Sequence, residues 1–138
     1  MWVEWGKIEK AYGDQMVIPK KRVLIVTPCE SGMAYICKRA ICEIPGLEIE
    51  RDRSFSDAVE GAKNCPPDLV IIETDCRDGD HGIVAAGAMR EKGIPCILII
   101  CSCHPRKPAK SENLVVIDKL YEDLFSGLET AVKKLLRL

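Results

Sequence analysis

The chain has 138 residues, 47% of them apolar and 30% charged, with 20 basic and 21 acidic side chains and a formal net charge of −1. That length suits one domain with a core of its own, and the balanced charge excludes a general binder of nucleic acid or of anionic membrane, since both need a positive excess. The longest apolar run, Ile94 to Cys101, is broken by Pro95 and falls far short of the ~18 residues of a membrane span.

The chain opens with Met1-Trp2-Val3-Glu4-Trp5-Gly6-Lys7, in which no basic region leads into an apolar one. With no secretory signal, a cytoplasmic protein is expected. Trp2, Trp5, Ile8 and Tyr12 form one apolar edge of a short helical arm, ended by Gly13-Asp14. The arm either docks on its own domain or joins two subunits in a homodimer. Arg22 to Val26 is a continuous apolar run of strand length, stopped at Thr27-Pro28. Met33, Cys37, Ala40, Ile41 and Ile44 then recur at helical spacing, and Pro45-Gly46 ends that helix. Leu47-Glu48-Ile49-Glu50 alternates like a half-buried second strand. Ser54 is placed to cap a short helix over Phe55 to Lys63, which Pro66-Pro67 breaks. Leu69 to Ile72 is a third strand, followed by a polar loop from Asp75 to His81. Ile83, Ala86, Gly87, Met89 and Arg90 fit a third helix closed by Lys92-Gly93. Ile97 to Ile100 and Leu114 to Ile117 are the fourth and fifth strands, and the last helix carries Leu120, Leu124, Leu128, Val132, Leu135 and Leu136 on one stripe.

Strands apolar on both faces, alternating with helices, imply a parallel sheet covered on both sides. Right-handed crossovers then gather the functional loops at the carboxyl ends of the strands.

Four stretches, in this order and spacing, resemble the receiver domains of bacterial response regulators. They are the opening strand Lys21 to Val26; Ser56-Asp57-Ala58-Val59-Glu60 through Pro66-Pro67-Asp68-Leu69-Val70-Ile71-Ile72-Glu73; Asp80-His81-Gly82 through Met89 to Ile99; and Asp118-Lys119-Leu120-Tyr121 with the closing helix. The resemblance implies an α/β, flavodoxin-like fold of three αβα layers, with five parallel strands in the order 2-1-3-4-5. It divides the chain into an arm, 1–21, and a receiver-like domain, 22–138. Pro105 and Pro108 leave the helix between the fourth and fifth strands, the fourth of that fold, reduced or absent.

The resemblance also assigns positions. The acceptor Asp at the end of the third strand matches Glu73, and the paired Lys matches Lys119, so an ion pair between them is expected. The family's Mg²⁺-holding acids after the first strand match Thr27 and Pro28, neither of which supplies a carboxylate. Mg²⁺ needs hard oxygen ligands with carboxylates to offset its charge, so no Mg²⁺ cofactor and no phosphorylation are expected, although Glu30 and Asp75 lie close by in sequence. The switch hydroxyl matches Ile100, with Ser102 two residues on, and the fifth-strand aromatic matches Val116.

The eight cysteines are the unusual part of the composition. In this fold Cys29, Cys76, Cys101 and Cys103 follow strands one, three and four, with His81 and His104 near them in sequence. Thiolates and imidazole bind soft metals or do redox chemistry, so a thiol-bound metal or a thiol-dependent redox site on this rim is the alternative function. Cys37, Cys42, Cys65 and Cys96 read as packing residues. The segment Thr27 to Gly32 lacks the Lys of a phosphate loop, and no catalytic residue is assigned. The leading expectation is a signalling domain, not phosphorylated, that works through an unidentified protein partner, with no nucleic acid and no membrane.

Overall fold

The structure is a computed structural model, and it describes residues 20–27, 32–74, 80–100, 108–109, 111–119 and 123–138. Five strands, β1 (Lys21–Val26), β2 (Leu47–Asp52), β3 (Leu69–Glu73), β4 (Cys96–Ile100) and β5 (Leu114–Asp118), alternate with α1 (Met33–Ile41), α2 (Phe55–Asn64), α3 (His81–Glu91) and α4 (Leu124–Leu136). The strands are all parallel, in the order β2-β1-β3-β4-β5.

Side-chain alternation along the strands supplies both layers. Val23, Ile25, Leu69, Ile71, Ile97 and Ile99 face α1 and α4, meeting Met33, Cys37, Ile41, Leu128, Val132 and Leu136. Their neighbours Val26, Val70, Ile72, Leu98 and Ile100 face α2 and α3, meeting Ala58, Ala62, Ala85, Ala86 and Met89. The small residues of α2 and α3 let those helices lie close on the sheet. β3 and β4 are buried along their whole length, as the centre of a doubly covered sheet requires. The edge strand β2 keeps its charged residues, Glu48, Glu50 and Arg51, which blunts an otherwise open row of backbone groups.

Local signals act as the sequence suggests. Ser54 caps α2, its Oγ accepting from the Asp57 amide at 3.1 Å. Gly46 and Gly93 take positive φ, 82° and 79°, where helices turn into strands.

Several boundaries differ from the expectation. Helix α1 stops at Ile41, because the chain turns through Cys42 to Gly46 while still burying Ile44. The first strand takes in Lys21, one residue inside the expected arm, because Lys21 pairs with Leu47 and its amide donates to Gly46 O at 2.8 Å. The described part of the last helix begins at Leu124. Between β4 and β5 the described residues 108–109 and 111–113 form no helix. Ser111 instead bridges back to Leu114, with both backbone hydrogen bonds made, at 3.1 and 3.2 Å. The rest of that connection lies outside the described residues.

Two packing expectations are corrected. Cys37 and Cys96 are fully buried, but Cys42 and Cys65 are exposed. Each of the exposed pair sits just past the end of a helix, beyond the stripe that faces the sheet. Cys65 Sγ accepts from Arg22 Nη1 at 3.0 Å, and Cys42 donates to Arg39 O at 3.5 Å.

Candidate functional site

The carboxyl ends of β1, β3, β4 and β5 form a rim on which Thr27, Glu73 and Lys119 lie toward the α1/α4 face. Continuing the β1–β3 register past Val26↔Ile72 sets Thr27 opposite Glu73. Backbone bonds carry the sheet to this rim: the Thr27 amide donates to Asp52 O at 3.1 Å, Thr74 to Ile99 O at 3.0 Å and Lys119 to Ile100 O at 2.9 Å. The rim is therefore an extension of the central sheet.

Glu73 is 2% exposed and its Oε2 is 3.0 Å from Lys119 Nζ, whose side chain is 18% exposed. The expected ion pair is formed. Alternation along β3 points Glu73 to the same side as Ile71, and the α1 residue Cys37 lies on that side too. Burial pushes the Cys37 thiol up to about 12, and the nearby Glu73 carboxylate adds to the rise. A thiolate at this point would face a carboxylate in a dry site.

Thr27 is fully buried. Its hydroxyl accepts from Arg51 Nε at 2.9 Å and its carbonyl from Arg51 Nη2 at 3.1 Å. A guanidinium from the edge strand thus clamps the residue that matches a metal-holding acid in receivers. Nothing in the sequence points to Arg51 beyond its place on the Leu47/Ile49 face of an alternating strand.

On the opposite face, Thr74 packs against the start of α3. A Cβ built on Gly82 would lie 2.5 Å from Thr74 Cβ and 2.8 Å from its Oγ1. Thr74 is fully buried, and among the described residues its hydroxyl has no hydrogen-bond partner. An orphaned buried hydroxyl costs about 1–3 kcal/mol. Thr74→Val, which keeps the branched shape and removes the hydroxyl, is expected to raise stability by about 1 kcal/mol, measured as a shift in the urea midpoint at constant slope.

The other predicted site residues divide as follows. Ile100 ends β4, fully buried against the α2/α3 layer, and Val116 is buried on β5. His81 is the exposed first residue of α3. Pro28, Cys29, Glu30, Asp75, Cys76, Cys101, Ser102, Cys103 and His104 lie outside the described residues. Among the described residues no cluster of three His, Cys, Asp or Glu could hold a metal ion, and no helix is long and apolar enough to cross a membrane.

The described thiols make a separate test. Burial also pushes the Cys96 thiol up to about 12, against the opposing influence of Arg90. For Cys37 and Cys96 the folded value stands above the ordinary 9.0. Their contribution to stability is therefore intact below pH 9 and is lost as the pH climbs toward 12. Denaturation midpoints should fall over that window, and in native conditions an alkylating reagent should modify Cys42 and Cys65 while sparing Cys37 and Cys96. Modification of Cys37 or Cys96 before unfolding would contradict the burial.

No protein-family model and no curated protein matches the sequence. Solved structures do match it. The Thermotoga maritima response regulator TrrA, solved with Mg²⁺ and BeF, is 28% identical at a TM-score of 0.66, covering 84% of this chain and 99% of TrrA. The receiver domain of Erythrobacter litoralis PhyR is 20% identical at a TM-score of 0.66, covering 87% and 92%. The response regulator domain of Thermotoga maritima CheB is 18% identical at a TM-score of 0.61, covering 86% and 94%. With its sheet in the order 2-1-3-4-5 and these neighbours, the chain is, in its fold, a receiver-like domain of the response regulator kind.

Proposed function

We propose that this chain is a signalling domain of receiver type that is not phosphorylated and works by binding a protein partner. The observation that carries the reading is the Glu73–Lys119 pair, a carboxylate 2% exposed and already neutralised by an ammonium at 3.0 Å. Phosphoryl transfer depends on positioning and on a metal that neutralises charge on the transferring group. The described donors on this rim suit that poorly. Glu73 is the single carboxylate among Thr27, Glu73 and Lys119, and the Thr27 hydroxyl is taken by Arg51. The Lys119 ammonium already balances the buried Glu73 carboxylate, so a divalent ion would have to displace it. This donor set does not fit Mg²⁺, and no step is derived through it.

The lengthened acid held by Lys119 gives the rim one stable arrangement, so the surface offered to a partner is constant. Incubation with acetyl phosphate and Mg²⁺, followed by intact-mass measurement, is expected to leave the mass unchanged. A stoichiometric phosphoryl adduct that vanishes in base would overturn the reading.

A further inference from the structure

We propose that residues 1–19 dock in the groove between α1 and β2 of their own chain. The groove has an apolar floor of Ile25, Ala34 and Ile49 and a rim of Tyr35, Lys38 and Arg51. Tyr35 is 67% exposed, one of the few large hydrophobic side chains left open on the described surface. An open aromatic beside an apolar floor gives an apolar segment surface to bury against.

Three observations select the occupant. The first is where the chain comes from. Lys20 leads directly into β1, and Lys21 pairs with Leu47 at the start of β2, so residues 1–19 are tethered at the end of the strand pair that forms the groove's floor. The groove begins at the Val23↔Ile49 and Ile25↔Arg51 pairs, about 7–14 Å along the strand at ~3.3 Å per residue. Residues 2–19 span about 27 Å even if wholly helical, at 1.5 Å per residue, enough to lie along the groove.

The second is composition. Trp2, Trp5, Ile8 and Tyr12 recur at three- and four-residue intervals, one apolar edge matched to one apolar floor. The third is charge. The segment carries Glu4, Glu9 and Asp14 against Lys7 and Lys10, a net of −1. The groove rim offers Lys38, while its one carboxylate, Glu50, is held by Arg22 at 2.8 Å and Arg51 is engaged with Thr27. A weakly acidic, aromatic segment suits a rim whose available charge is Lys38, where a Trp would add cation–π attraction.

The chain supplies its own reporter, since its only two tryptophans lie in this segment. In the 138-residue chain, tryptophan emission should be blue-shifted relative to free indole, and acrylamide quenching should be several-fold weaker. Tyr35→Glu should make emission and quenching solvent-like without changing the far-ultraviolet circular dichroism, because Tyr35 is exposed and outside the core. Phe125→Glu, at another exposed aromatic on α4, should change neither. All of this should hold across a hundredfold dilution. Solvent-like tryptophans in the unmodified chain would overturn the proposal whatever the variants do. So would protection lost on dilution, which would place the segment on a second copy, or protection that survives Tyr35→Glu.

Discussion

Replacing Lys119 with Met is expected to lower stability by about 3 kcal/mol, read as a fall in the urea midpoint at unchanged slope. Comparison with two exposed ion pairs among the described residues shows why this one stands apart. Lys63–Glu60, at 3.5 Å, and Lys133–Glu129, at 3.1 Å, have side chains roughly half or more exposed. Water screens such pairs, and each contributes at most ~1 kcal/mol. The Glu73 carboxylate is 2% exposed and cannot recover hydration if its ammonium is removed. Its desolvation then becomes the dominant cost. Lys133→Met is the control and should shift stability by no more than ~0.5 kcal/mol. The double variant Glu73→Leu, Lys119→Met should regain most of the loss, since an apolar pair leaves no charge to compensate. A Lys119→Met protein as stable as the parent would show that the pair is not the closed electrostatic unit that the proposed function requires.

Gly82→Ala is expected to destabilise by about 1–3 kcal/mol, although alanine is the better helix former by up to ~1 kcal/mol. The contact decides the sign. The new Cβ would meet Thr74 Cβ at 2.5 Å, and that atom is one bond from the backbone at the end of β3. It cannot swing away as the tip of a long side chain would, so α3 or the strand end must move. Gly87, on the same helix, is the control, because a Cβ there meets nothing within 4 Å. Gly87→Ala should be neutral or slightly stabilising. Because Thr74 follows Glu73 directly, a shift at Gly82 also loads the ion pair. Gly82→Ala and Lys119→Met are therefore expected to combine non-additively, whereas Gly87→Ala and Lys119→Met should add. Equal stability of the two alanine variants would show that helix and strand do not meet as tightly as described.

A buried carboxylate paired with one ammonium, beside a threonine held by Arg51, gives the rim a different character from a site that gains and loses charge. Its partners are the protein's own side chains, drawn from β1, β2, β3 and the residue after β5. The constancy follows from burial, since a pair at 3.0 Å with 2% exposure on the acid has little water with which to exchange. Recognition by a partner would read shape and fixed charge on this surface.

The sequence by itself determined the element order and the two-layer core. Runs such as Leu69 to Ile72 and Ile97 to Ile100 are apolar at every position, which only a strand covered on both faces tolerates, and the Ser54 cap and the turns at Gly46 and Gly93 are set by side chains adjacent in the chain. Glu73 and Lys119 were legible as a pair through the resemblance to receiver domains, which matches them to the acceptor acid and its paired lysine; the sheet order alone sets β4 between their strands. What lies across the sheet was not legible. That Arg51 reaches back to Thr27 depends on the β1–β2 register, and that Gly82 must be glycine depends on how closely α3 approaches Thr74. Cys42 and Cys65 look like packing residues in a string of letters, yet they are exposed, because helix ends decide which face a residue takes. Periodicity records which side of an element is apolar. Only tertiary structure decides the distances between elements, and those distances turn a carboxylate, an ammonium and a guanidinium into one site.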